Sequence, residues 1–358
     1  MVHSAYEPLD AALEQLAGYG TELTNGNFNH APMVAETLCA LGRPDIVLPW
    51  LDRYRLRILP RGATNDPIGE SDWRQALGTR DRFPDWAAFF ALRLQDADWR
   101  EVLDVWAKRL APGMSAAATH GAIRVGHAVR ALNVEETALR RQELADALAA
   151  WAASYSELPT AHANREKAPP ATAITHVAIV PPEQRRPGNI VAALARLGDF
   201  PEFASVIGLA DLDGDIATRL AELCDLFARV YLANVHNIPT AIAFIHGVTS
   251  LTALGHIVPN VSEATARSLL RFGWQAGCGL YACFGGDVPY RREVALDNTE
   301  PEALIERALA NGDEHVIKFT EACLARHALS PSPAYPAAIV NVLGIVGARR
   351  ENTTAARG

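Results

Sequence analysis

Apolar positions recur at helical spacing through most of this chain. Residues 1–16 read as an amphipathic helix whose polar face carries Glu7, Asp10 and Glu14. From Asp85 to Leu110, the residues Trp86, Phe89, Leu92, Trp99, Val102, Leu103 and Trp106 mark a helix or a helix pair. Thr119–Leu132 has apolar or small residues on nearly every face. Glu135–Tyr155 continues with Leu139, Leu144, Leu148 and Trp151, and Asn189–Leu197, Asp215–Ile245 and Ser262–Leu280 repeat the pattern. Pro301–Ala310 opens on a proline near N1 and stops at Asn311-Gly312, after which Asp313 caps a helix over Glu314–His327.

Strand patterns are scarce, and none alternates with helices as a parallel sheet requires. The predicted class is all-α: a single large multi-helix domain over residues 1–347, with long irregular connections and a disordered tail at 348–358. Breaker-rich segments lie at Leu59–Asp72, Leu158–Ala171 and Val180–Gly188. The last two flank a short apolar run, Ala173–Val180, and mark either a boundary between two lobes or a long connection. One domain is the preferred reading, because the candidate histidines lie on both sides of this region.

No Asp, Glu, Lys or Arg occurs between Val230 and Ser262. The run is long enough to span a membrane, which takes about 20 apolar residues. It also holds His236, His246, His256, Asn234, Asn237 and Pro239, too polar a set for lipid. A helix buried on all sides is expected instead, with no membrane association. The formal net charge of −8 gives no electrostatic support for nucleic-acid binding. The N-terminus lacks the basic and apolar regions of a secretory signal, and the five cysteines form no CxxC pair. Both features predict reduced core thiols and a cytoplasmic location.

Four segments can carry chemistry. Thr24-Asn25-Gly26-Asn27-Phe28-Asn29 is a polar turn that delivers His30 to a helix starting at Pro32 and running to Leu41. It places one imidazole as a ligand, or Asn27 or Asn29 caps that helix and His30 is solvated. His120 and His127 are seven apart on nearly one helix face, with Gly121 and Gly126 between them. Each glycine costs a helix roughly 1 kcal/mol relative to alanine, which points to close approach of a backbone or a ligand. His246 lies in the uncharged run with Thr249 and Ser250 one turn on. A buried imidazole there needs a partner. His236 and His256 lie ten residues to either side, about 80° out of register.

The fourth segment is Asp313-Glu314-His315-Val316-Ile317-Lys318. The chain has three lysines, Lys108, Lys167 and Lys318, against thirty arginines. Lys318 sits one turn after His315 among apolar neighbours. It pairs with Glu314 at i,i+4 on the surface, or it turns inward with His315. An inward lysine near a helix N-terminus is poorly placed as a cation and better placed as an anion, which carboxylation by carbon dioxide would make it.

These segments, in this order, resemble the questin oxidase-like family of fungal and bacterial redox proteins. The resemblance rests on Asn29-His30 with Pro32-Met33, His120-Gly121-Ala122-Ile123-Arg124, His246-Gly247-Val248-Thr249-Ser250, and His315 with Lys318. It spans roughly residues 20–325. Better-known relatives oxidatively open or cleave rings in aromatic polyketide and anthraquinone pathways, described as Baeyer–Villiger oxidation or dioxygenation. The family includes a mononuclear non-haem iron enzyme with four histidines and a carboxylated lysine as ligands. Carried over by position, the resemblance implies His30, His120, His246, His315 and carboxylated Lys318 as ligands of Fe(II). His127 competes with His120 for its position, and His236 with His246. Five protein ligands leave one octahedral position for dioxygen or substrate. Imidazoles suit iron, and one oxygen anion offsets part of its charge.

The implied activity is an iron-dependent oxygenase using O2 on an aromatic or polyketide-like small molecule, with Arg124 as a catalytic candidate for orienting an anionic phenolate or quinone oxygen. Arg124 equally suits a structural carboxylate. Gly273–Gly286, with Trp274, Tyr281 and Phe284 among small residues, either lines an apolar pocket or packs tightly. Two other readings stand: a metal-free NADPH-dependent Baeyer–Villiger-type oxidase, and a non-catalytic helical small-molecule-binding protein. No GxGxxG fingerprint follows a strand, so NADPH has no motif behind it.

Overall fold

Caps and prolines set most of the element boundaries. The computed structural model describes residues 2–161, 166–297 and 299–355. Its elements are helical, as the periodicity predicts. Among the described residues the strands are Tyr19–Leu23 and Ile58–Pro60, paired antiparallel. The chain forms two compact units, one of residues 1–157 and 253–269, the other of residues 158–252 and 270–358. The first crossing falls at the head of the breaker-rich segment that begins at Leu158.

The first unit holds the helices Val2–Leu16, Ala31–Ala40, Pro44–Tyr54, Phe83–Asp96, Trp99–Leu110, His120–Val134 and Ala138–Ala153. The apolar stretch expected as a helix or pair is a pair. Asp98 breaks it and caps the second helix by accepting from Arg100 N at 2.7 Å. Trp106 then sits edge-on to Phe89 (5.2 Å, 88°) and Phe90 (4.9 Å, 85°), geometry worth about 0.5–1.5 kcal/mol per pair beyond burial. Ala138–Ala153 is the central helix. Its run from Glu143 to Ala153 is buried without a break, and its many alanines let neighbouring helices approach closely. Arg140, 1% exposed, reaches from it to Asp10 and fastens the N-terminal helix.

The second unit holds Ile216–Asn234, most of Ile238–Ile257, the part of Glu263–Phe284 from Leu270 onward, Pro301–Asn311, Glu314–Leu329 and Ala334–Ala355. Tyr231 joins two of these helices by stacking near Phe319 (4.9 Å) and donating to Asn341 Oδ1 (3.0 Å). The expected single helix over Asp215–Ile245 is instead two. The break falls at Val235-His236-Asn237, where Asn237 Oδ1 accepts from Thr240 N (3.0 Å) and Thr240 Oγ1 accepts from Asn237 N (3.2 Å). That reciprocal cap starts a new helix, and Pro239 fits its first turn because no partner is needed there. Gly312, at φ 70°, closes Pro301–Asn311, and Asp313 caps the next helix as its position predicts. The last helix takes in most of the tail expected to be disordered, and residues 356–358 lie outside the described set.

Ile238–Asn260 is the one described segment long and apolar enough to cross a membrane. Of its most apolar window, 78% is buried within the protein, as in a core helix. All five cysteines are buried and unbridged.

Candidate metal centre

In the first unit the polar turn is held by Asn29. Its Nδ2 donates to Gly20 O (2.9 Å) and its Oδ1 accepts from Ala31 N (2.9 Å). Tyr54 Oη accepts from His30 N (3.0 Å). His30 is therefore buried at the start of Ala31–Ala40, 2% exposed, and not solvated. Asn29, not Asn27, holds the helix start.

His120 is placed by an unusual backbone. Ala117, Ala118 and Thr119 all lie in the left-handed region, at φ 47°, 56° and 69°. Each costs about 1–2 kcal/mol for a residue with a Cβ, and such cost concentrates where geometry serves function. The turn swings Ala117 O onto His120 Nδ1. That contact makes Nδ1 the protonated nitrogen and leaves the Nε2 lone pair for another partner. His120 Nε2 lies 2.6 Å from His30 Nε2, with the rings 4.6 Å apart and 23° from parallel. Two nitrogens bound at about 2.1 Å to one metal, at right angles, stand about 3 Å apart. The observed pair is tighter than that spacing and lies at hydrogen-bond distance. Phe28 stacks on the His120 ring at 4.8 Å and 17°.

The helices bearing these histidines run in the same direction, so contacts repeat down the pair. Met33, Ile123 and Ala253 meet below His30 and His120. One turn further, buried Glu36 accepts from Arg130 Nε (2.6 Å) and Nη2 (2.5 Å), from Tyr6 Oη (2.8 Å) and from His127 Nδ1 (2.7 Å). Burial would raise the Glu36 carboxyl, but Arg130 and His127 together outweigh it and hold it far below the usual range. His120 is thus the histidine beside His30, and His127 belongs to the Glu36 cluster. The two glycines also find their reason. A Cβ on Gly121 would meet Trp151 Cα at 2.7 Å, and one on Gly126 would meet Ala253 O at 2.7 Å.

Arg124 pairs with Glu143 through Nε (2.7 Å) and Nη2 (2.8 Å), a bidentate contact. Burial works to lower the guanidinium, yet the facing carboxylate holds it above its ordinary value. This is the structural-carboxylate alternative for Arg124.

In the second unit His246 lies inside Ile238–Ile257, 2% exposed, while His236 is exposed at the helix junction. His246 Nδ1 contacts Ile242 O at 2.6 Å, one turn back, which again leaves Nε2 as the lone-pair nitrogen. Burial, then the charges of His315 and Lys318, lower this imidazole to about 3, so it is neutral at physiological pH. The His315 ring stands 5.7 Å from it at 68°. His315 Nδ1 lies 3.3 Å from Asp313 Oδ1, the same oxygen that accepts from His315 N (2.9 Å) to cap the helix. Lys318 is 3% exposed. Burial pulls its ammonium down to about 8, against the charges of Glu314 and Asp313. Lys318 therefore lies inside, within electrostatic reach of His246, and not in water with Glu314.

The segment Gly273–Gly286 is packed more than open. Trp274 is fully buried and donates to Val206 O (2.9 Å), and Gly277 faces the Phe227 ring so closely that a Cβ would collide with it. Tyr281 also borders a cleft of about 550 Å³ with Val288 and Tyr290.

A family model for questin oxidase-like proteins matches residues 28–323, or 296 of the 358 residues. The chain belongs to the questin oxidase-like family. Membership implies an oxidoreductase of the oxidase or oxygenase kind. No curated protein matches the chain. The matched span covers His30, His120, His246, His315 and Lys318.

Sequence reasoning gave no role to Phe28 or Glu36, and to Asp313 only a cap. Glu36 carried a usable signal: it is the single charge in the otherwise apolar Ala31–Ala40. Asp313 carried one too, since an acid two residues before a histidine at a helix start reaches both its amide and its ring.

Proposed function

We propose that this protein is a non-haem Fe(II)-dependent oxygenase that uses O2 to open or cleave a ring of an aromatic, polyketide-like small molecule. The ligand set is His30, His120, His246, His315 and a carboxylated Lys318. One observation carries the reading: His120, His246 and His315 each commit Nδ1 to an oxygen two to four residues earlier in the chain. Outer hydrogen bonds of this kind orient imidazoles for metals and fix the tautomer that offers Nε2.

The residues supply the rest of the fit. Neutral imidazole is the ligating form, and burial keeps His246 neutral. The lowered Lys318 value leaves roughly a tenth of the amine unprotonated near neutral pH, against far less for an ordinary lysine. That Nζ attacks the carbon of carbon dioxide, forms an N–C bond and releases one proton, leaving a carbamate anion. The carbamate replaces a buried cation with an anion, which suits a helix N-terminus. Bound iron would supply the one-electron chemistry that lets dioxygen react with an organic ring. Phe28 shields the His120 ring on one side.

The test is metal content and turnover of the full chain purified and reconstituted without oxygen. Stoichiometric iron and oxygen uptake with a hydroxyanthraquinone probe are expected. His30→Ala, His315→Ala and Lys318→Ala should each lose the bound iron. Protein that takes up no stoichiometric metal, or a Lys318→Ala variant with parental iron and activity, would falsify the assignment.

A further inference from the structure

Arg326 is a buried cation whose charge no carboxylate answers. It lies in Glu314–Leu329, 8% exposed, and its Nη2 donates to Thr252 O at 2.9 Å. Among the described residues no carboxylate lies within ion-pair distance of it, and its Nε is buried without a hydrogen-bond partner. Arginine cannot shed its proton to escape this. An unpaired buried charge destabilises the fold that holds it.

The surroundings repeat the deficit. Thr252 is 4% exposed, and its Oγ1, on the residue whose carbonyl holds Arg326, is also without a partner. Tyr335 is 1% exposed with an unpartnered Oη. Its ring stands 6.4 Å from that of His327, the residue after Arg326. Three buried donors, Nε–H, Oγ–H and Oη–H, thus belong to Arg326, to the threonine whose carbonyl holds it and to a tyrosine within its electrostatic reach. The neighbouring groups do not supply the missing negative charge. Asp225 is committed through Oδ2 to Arg229 (2.7 Å) and through Oδ1 to Ser332 Oγ. Burial keeps the Cys224 thiol up near 11 despite Arg326, so it is no thiolate. His327 uses Nδ1 on Ser332 and adds no negative charge.

We propose that Arg326, Thr252 and Tyr335 enclose a structural site for one small monovalent anion of the chloride class. One such ion neutralises the guanidinium and accepts from donors of this kind, which a buried water does only for the hydrogen bonds. The site is independent of the iron reading, and its presence stabilises the folded chain by mass action.

Two measurements on the full chain decide it. The thermal midpoint is followed as sodium chloride replaces sodium gluconate at constant ionic strength, and a saturable rise of a few degrees is expected. In Arg326→Met the midpoint should be the same in both salts. Crystals of the parent protein soaked in bromide should show an anomalous peak in hydrogen-bond reach of Arg326 Nε, which keeps the proposal testable if the variant does not fold. Water alone at that position, with parental midpoints equal in the two salts, overturns it.

Discussion

Replacing Gly121 with alanine tests whether the His120 helix is held by direct backbone contact. A Cβ at position 121 would meet Trp151 Cα, Cβ and Cγ, each at 2.7 Å. Carbon contacts normally sit at about 3.5–4.0 Å, so the two helices must part by roughly 1 Å. Trp151 has little room to give, because it is fully buried and its Nε1 donates to Gly113 O at 2.9 Å. Overpacking by one methyl costs about 1–3 kcal/mol. Alanine's better helix propensity returns about 1 kcal/mol. The obstacle includes main-chain atoms, so the upper part of the cost applies, and the net loss should be about 2 kcal/mol. Gly247→Ala is the matched control, since Gly247 also follows a candidate ligand in a buried helix. Its Cβ would meet Phe227 at 3.6 Å and Leu280 at 3.8 Å, ordinary contacts. That variant should gain up to about 1 kcal/mol from helix propensity alone. Urea unfolding of both variants and the parent, with unchanged slopes, measures the difference. A Gly121→Ala protein at least as stable as the parent, or equal losses at both positions, would refute the packing argument.

Two further predictions concern the buried cluster below His30. Glu36→Gln should cost about 2 kcal/mol at pH 7, because it leaves the partly buried Arg130 beside a neutral amide. The Glu36 carboxyl is depressed in the folded chain, so its stabilisation is full above the ordinary value of 4.5 and is lost as pH falls below it. The gap between variant and parent should therefore narrow on acidification, as read by urea unfolding from pH 7 to pH 4, and a pH-independent gap would show that the charge is not responsible. His127→Phe should retain parental iron content where His120→Phe loses it, by metal analysis of reconstituted protein. Loss in both would return His127 to the candidate ligands.

What could be read from the sequence was what is local. The Asn311-Gly312-Asp313 stop and start was legible because Gly312 and Asp313 act within a few residues of themselves. The break at Val235-His236-Asn237 was hidden by the opposite circumstance. Apolar residues continue through it, and the Asn237–Thr240 cap is a weak pattern inside a strong one. The left-handed turn Ala117-Ala118-Thr119 had no signal at all, since none of these residue types favours positive φ. Nor had the contact of His127 with Glu36, 91 residues away. Periodicity put both histidines on one face, and only the packed partner separated them.

The same division runs through the candidate ligands and bears on how such a centre can be specified. Each anchored imidazole takes its Nδ1 partner from its own neighbourhood: three residues back for His120, four for His246, two for His315. In the folded chain the tautomer of each is thus set by a partner close in sequence. The three anchors use different means, a strained turn, a helix carbonyl and a capping carboxylate, which is why no compact sequence signature contains them. The anchoring of each candidate ligand in this chain is therefore local in sequence. It follows that a substitution at an anchor such as Asp313 should disturb the ring it holds more than the fold around it. A substitution at a contact such as Gly121 with Trp151 should do the reverse.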